Sequence, residues 1–209
     1  MKSIKYVVLS SIMGLLLAAS SAWATSFNIT SDHCTGGCGT PPFGTVTVTQ
    51  NGTTVDITVD LAAGYAFAKT GSVDDQAFKF NGTGITLADI TVDQTVTGQT
   101  LAADTGAFNG DGTGTFSFGI ICTTCGGGGS SAFSDDIVFH VANATIADLT
   151  APNAAGNIFV ADVLAPNGNT GPVDVNTGGG NVPDGGATAA LLGLGLAGLG
   201  GLRARFGRN

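Results

Sequence analysis

The stretch Thr45–Leu61, TVTVTQNGTTVDITVDL, decides the fold. Apolar and polar residues alternate through Thr45–Gln50 and again through Thr53–Leu61, the period of a strand with one buried face and one solvated face. Between the two runs, Asn51–Gly52 is the pair that most favours a two-residue type I′ turn, because both central positions of that turn need φ > 0. A turn centred there predicts Val48 opposite Val55, Val46 opposite Ile57 and Thr47 opposite Asp56. Apolar side chains then meet apolar ones and polar meet polar, so turn chemistry and binary pattern point to the same antiparallel hairpin.

Working outward, strand-like runs recur at Tyr65–Ala68, Gln76–Asn81, Thr86–Ile90, Thr113–Ile120, Ile137–Ala142 and Asn157–Leu164. Turn signals punctuate them at Asn81–Gly82, Asn109–Gly110, Asp111–Gly112 and Gly126–Gly129. Many short strands separated in this way predict an all-β domain, an antiparallel β-sandwich or jelly-roll-like body. Composition agrees: of 209 residues 34 are Gly and only 11% are charged, and every acidic residue is Asp, so the good helix formers are scarce. Phe78 with Phe80, and Phe116 with Phe118, sit at alternating positions suited to filling the space between two sheets. An internal echo, Thr86–Leu87–Ala88–Asp89–Ile90–Thr91 against Thr145–Ile146–Ala147–Asp148–Leu149–Thr150, predicts two equivalent turns, each with a short helical element at Thr-x-Ala-Asp.

Both ends differ from this body. Lys2 and Lys5 precede the apolar runs Tyr6–Leu9 and Ile12–Ala19, and small residues lead to Ala22–Trp23–Ala24. A basic start, an apolar stretch and an A-x-A site describe a secretory signal peptide over residues 1–24, cut by signal peptidase before Thr25. The β domain then runs from 25 to 164. Residues 165–181, rich in Pro, Gly and Asn, read as a flexible linker that cannot bury enough apolar surface to order itself. Next come Val182–Pro183–Asp184–Gly185–Gly186, an uncharged Gly/Leu-rich run over 187–202, and a basic tail over 203–209 with Arg203, Arg205 and Arg208. Sixteen helical residues reach about 24 Å, a little short of a hydrocarbon core, and flanking residues or local thinning make up the rest. Read as a transmembrane helix, the run leaves the Arg cluster cytoplasmic and everything before it outside.

A short Pro-containing motif, a Gly/Leu-rich membrane segment and a terminal Arg cluster together resemble a PEP-CTERM sorting signal, covering residues 182–209. The usual core of that signal is Val-Pro-Glu-Pro; here Asp184 replaces the Glu and Gly185 the second Pro. The resemblance implies an exosortase, a membrane cysteine transpeptidase, as processing partner. It implies removal of the tail near the motif, and release or attachment at the envelope of a Gram-negative bacterium after an inner-membrane intermediate.

Charge and chemistry narrow the remaining choices. Between Thr25 and Leu164 the basic residues are Lys69 and Lys79, set against more than a dozen Asp. Nucleic-acid binding needs a basic footprint and is excluded. The four cysteines form two close pairs, Cys34/Cys38 and Cys122/Cys125, and export into an oxidising compartment favours two local disulfides. Tetrahedral zinc from both pairs, with His33, is the alternative. No catalytic motif is present, and the adjacent pairs Asp74–Asp75 and Asp135–Asp136 point to opposite faces of a strand, so no enzyme is expected. His140, in an alternating strand, reads as a surface or packed residue. Asn109 and Asp111, on a Gly-rich loop, are candidate oxygen ligands for Ca²⁺, a hard cation. Two functions follow: a structural envelope or matrix protein that organises extracellular polymer such as exopolysaccharide, or a non-catalytic envelope module binding glycan or Ca²⁺.

Overall fold

The computed structural model describes residues 23–70, 75–177 and 181–183. Along the chain run β1 (Trp23–Ile29), β2 (Ser31–Asp32), β3 (Gly44–Asn51), β4 (Thr54–Leu61), β5 (Ala66–Phe67), β6 (Gln76–Phe80) and β7 (Ile90–Val92). There follow β8 (Leu101–Asn109), β9 (Thr115–Cys122), β10 (Ile137–Ala142), β11 (Asn157–Leu164), β12 (Thr170–Asn176) and β13 (Asn181–Pro183). A 3-10 turn at Leu87–Asp89 and the four-residue helix α1 (Ile146–Leu149) are the helical elements among the described residues. The strands form two antiparallel sheets. One has six strands in the order β13-β1-β3-β4-β10-β7; the other has seven, β2-β12-β11-β6-β9-β8, with β5 on β11. The expected all-β class and two-sheet architecture are therefore present.

The hairpin that identified the fold forms, in a different register. Val46 lies opposite Val59, Val48 opposite Ile57 and Thr49 opposite Asp56, with Asn51 paired to Thr54. The turn residues are Gly52 and Thr53, and of the two only Gly52 has a positive φ, +62°. Positive φ at the first central position alone is the type II′ pattern, with Gly where that turn needs it. Moving the turn by one residue moves each partner by two, so the inward and outward faces are unchanged. Gln50 accounts for the choice: its Nε2 donates to the carbonyls of Gly52 at 3.0 Å, Thr54 at 3.3 Å and Ala144 at 3.0 Å, and its Oε1 accepts from Ile146 N at 3.0 Å. That side chain clasps the hairpin end to the start of α1.

Between the sheets the core is aromatic. Phe27 of β1 meets Phe159 of β11 edge-on at 5.5 Å, and Phe139 of β10 meets Phe78 and Phe80 of β6 at 6.0 and 5.1 Å. Each of these rings is essentially fully buried, and such burial contributes about 1.5–3 kcal/mol per side chain. Phe118 joins the cluster by stacking on Phe80 at 5.7 Å. Phe116, expected to fill the same space, is buried outside that cluster.

Two sequence expectations need correction. Thr86–Ile90 is no strand: Thr86 caps a 3-10 turn, and β7 begins only at Ile90. The supposed linker 165–181 contains β12, whose residues Gly171–Val175 are all buried. Its Val173 and Val175 enter the intersheet core while Pro172 and Asp174 take the other face, so period-2 alternation outweighs the loop-like Pro and Gly content. The folded body accordingly extends past Leu164 to at least Thr177.

The internal echo is real in three dimensions. Thr86 N donates to Asp89 Oδ2 and Thr145 N to Asp148 Oδ2, each at 2.8 Å, forming two matching capping boxes. The first lies on the crossing from β6 to β7 and the second on the crossing from β10 to β11, each passing from one sheet to the other. Hydrogen bonds from Asn143 and Thr86 hold Asp89 below the ordinary carboxylate range, and those from Thr145 do the same for Asp148.

Candidate functional site

The start of the sorting motif and the position of the expected signal-peptide cut meet at one edge of the six-stranded sheet. β13, which begins the sorting motif, pairs antiparallel with β1, setting Pro183 opposite Thr25, Val182 opposite Ser26 and Asn181 opposite Phe27. The expected cut between Ala24 and Thr25 thus falls inside β1, and Ala24 itself pairs with Thr49 of β3. The residues left after such a cut, Thr25–Ile29, keep their ladder to β3. Ala22, Asp184, Gly185, Gly186, the apolar run 187–202 and the arginines 203, 205 and 208 lie outside the described residues. Among the described residues no helix is long and apolar enough to cross a membrane.

Both cysteine pairs are local disulfides, Cys34–Cys38 and Cys122–Cys125, each with Cα atoms 5.4 Å apart. The first closes a Gly-rich loop after β2 in which Gly36 and Gly37 have φ of +85° and +81°, values that glycine alone adopts cheaply. Asp32 secures this loop, its Oδ1 accepting from Cys34 N at 2.9 Å and its Oδ2 from Cys38 N at 2.8 Å. Tyr65 adds a hydrogen bond from its hydroxyl to the Cys38 carbonyl at 2.8 Å. Asp32, Cys34 and Cys38 are the one cluster of three potential metal-ligating side chains among the described residues. The two sulfurs are bonded to each other and the carboxylate is occupied by backbone N–H groups, so the set does not fit zinc.

The candidate Ca²⁺ loop has other work. Gly110 O accepts from both the N–H and the hydroxyl of Thr113, Gly114 O accepts from Gly110 N, and Thr113 O accepts from the amides of Asn153 and Asn157. These carbonyls, the oxygens a hard cation would use, hold the loop itself together. Asn109 and Asp111 are exposed and belong to no cluster of three ligand groups. The loop instead reaches from the β8–β9 edge across the outer face of the seven-stranded sheet. A side-chain carbon on Gly112 would lie 3.8 Å from His33 Nδ1, next to β2 at the opposite edge.

Beneath this arm lie polar groups that alternation does not reveal. Lys79 on β6 and Asp162 on β11 form an ion pair, Nζ to Oδ2 2.7 Å, with side chains 2% and 3% exposed. Burial pushes the Asp162 carboxyl up from its ordinary value; Lys79 opposes that rise, and the negative charge of Asp111 adds to it. Asp174 on β12, fully buried, faces His33, whose Nε2 is 2.7 Å from Asp174 Oδ2 and 3.0 Å from Ser31 Oγ. Burial raises Asp174 as well, against the pull of His33 and Ser31. On the other sheet His140 is held between two carboxylates, Nδ1 2.7 Å from Asp56 Oδ1 and Nε2 3.1 Å from Asp93 Oδ2. The hydrogen bond to Asp56 is the main reason its pKa is raised, with burial opposing. The opposed register of β4 and β10, His140 against Asp56, was the signal for this clamp, and it needs strand pairing that the sequence alone does not supply.

Comparison with known proteins adds one finding. Residues 181–206 match the family model described as the VPDSG-CTERM motif. Val182, Pro183, Asp184 and Gly186 coincide with the letters of that motif and Gly185 stands at its Ser, so Asp184 is ordinary for this signal rather than a departure from Val-Pro-Glu-Pro. No curated protein and no solved structure matches the chain. The tail is thus a variant of the PEP-CTERM-like exosortase sorting signal. It implies processing by an exosortase-type enzyme and export to the cell envelope or surface.

Proposed function

We propose, from a chain whose C-terminus carries the VPDSG-CTERM sorting signal, an exported, non-catalytic structural protein of the Gram-negative envelope or extracellular matrix. A signal peptide over 1–24 takes it to the translocation machinery, the 187–202 run with Arg203, Arg205 and Arg208 holds it in the inner membrane, and an exosortase acts near Val182–Gly186. The observation that carries this reading is the matched tail, continuous through β13 with the edge of the folded body. The surface supports a structural role over a glycan module. Among the described residues the exposed large apolar side chains are Trp23 and Leu87; the aromatic rings that would stack on sugars are packed inside. Trp23 moreover precedes the expected signal-peptide cut.

The experiment is fractionation of an exosortase-containing host expressing either the full chain or a chain ending at residue 181. The full chain is expected at the outer surface or in the matrix, and the truncated chain in the periplasm. Equal distribution of the two overturns the sorting assignment.

A further inference from the structure

The protein has two lysines between the signal peptide and the basic tail, and one of them is spent in a place where lysine is costly. Lys79 sits on β6, in the middle of the seven-stranded sheet, directly opposite Val160 of β11. Two residues along β11, on the same face, is Asp162. Their side chains are 2% and 3% exposed, with Nζ 2.7 Å from Oδ2. Nζ also donates to the Gln76 carbonyl at 3.3 Å, which fixes its approach from one side. The carboxyl carbon is one bond beyond Oδ2 and so no more than about 4 Å from Nζ, against about 3–3.5 Å for reacting atoms in a near-attack arrangement.

As an ion pair this arrangement is poor value for stability. Removing both charges from water carries a penalty that mutual attraction often fails to offset, and an apolar pair of equal volume usually does as well. Dry surroundings disfavour the carboxylate, and burial holds the Asp162 carboxyl above its ordinary value. A proton passed within the pair leaves an amine lone pair beside a neutral acid.

We propose that Lys79 and Asp162 join in an intramolecular isopeptide bond. Lys79 Nζ attacks Asp162 Cγ, the Nζ–Cγ bond forms and one Cγ–Oδ bond breaks. The departing oxygen takes two of the three ammonium protons and leaves as water, while the third stays on the amide nitrogen. No oxidant, reductant or co-reactant takes part, and the product replaces two buried charges by one neutral amide. Because β6 and β11 are ladder neighbours, the bond ties the centre of the sheet covalently, where the arm over its outer face shields it. The linkage survives both reduction and boiling, unlike the two disulfides, which suits a body placed outside the cell.

The test is mass spectrometry of the protein purified from its host, with its two ends established, after reduction and denaturation. The mass should fall short of that of the linear chain between the same ends by one water, about 18 Da. Digestion should yield one branched peptide joining the segments that contain Lys79 and Asp162, with trypsin failing to cut after Lys79. Lys79→Met should restore the full mass. Asp162→Asn should lose one ammonia in place of one water, a readout available even where Lys79→Met does not accumulate. A wild-type chain of full mass, a deficit that persists in Lys79→Met, or loss of water from Asp162→Asn each overturns the proposal.

Discussion

The outer faces of the two sheets both carry polar side chains, and these end in opposite surroundings. On the six-stranded sheet Thr45, Thr47, Thr49, Thr54, Asp56 and Thr58 alternate cleanly with Val46, Val48, Val55, Ile57 and Val59; the first set is half-buried and the second fully buried. On the seven-stranded sheet β6 is buried at every position, and β11 at every position except its last. There Lys79, Asp162 and Asp174 lie under the arm that the β8–β9 turn throws across the sheet. A polar residue in an alternating strand marks solvent only where nothing folds back over it. The second sheet has such a cover, so its polar side chains must be paired with one another.

Mutations that strike what the sheets share, then what separates them, sharpen this contrast. Phe139, buried between Phe78 and Phe80, joins both sheets, and Phe139→Ala should cost about 3–5 kcal/mol in urea unfolding. On the covered face, Asp162→Ala removes the bond to Lys79 and leaves the lysine side chain buried without its partner, and should cost a comparable amount, about 3–5 kcal/mol. Asp56→Ala on the open face should stay within about 1 kcal/mol. Equal losses for these two aspartates would erase the distinction between the faces. Of intermediate size, Thr145→Ala removes the cap of α1 and should lower stability by about 1 kcal/mol.

The smallest effect is the dependence on pH of the His140 clamp. His140 has a raised pKa through Asp56 and Asp93, so the folded state binds its proton more tightly than the unfolded chain does. Its contribution is complete below the unfolded imidazole value of about 6.5 and is lost as pH rises through the higher folded value. All three side chains are about a third exposed, which limits the gain to that of a surface pair, about 0–1 kcal/mol. The Tm difference between His140→Gln and the parent should therefore shrink as pH is raised across that window. A difference that grows with pH contradicts the clamp.

How much of this the sequence discloses follows from the same contrast. The hairpin faces, β10 and β11 with their bounds, both disulfides, the paired Thr-x-Ala-Asp turns and the sorting tail are all local patterns, and local patterns carry their own physics. The register of β3 and β4 departs from the one the Asn-Gly pair predicts because Gln50, a residue outside the turn, reaches Ala144 and Ile146 and selects Gly52–Thr53. β12 was hidden by Pro172 and its flanking glycines, although Val173 and Val175 alternate correctly. The Lys79–Asp162 pair joins residues 83 positions apart, and no period in the chain connects them. The loop at Asn109 and Asp111 reads as an ion cradle until its carbonyl partners, Thr113, Asn153 and Asn157, are known.

Export of a folded body and its trimming through the C-terminal signal are read out together by the intact mass of the protein recovered from the envelope. That mass should correspond to a chain beginning at Thr25 and ending near Val182–Gly186, without Arg203, Arg205 and Arg208. A recovered chain that still carries the three arginines in a host containing the cognate exosortase would contradict it.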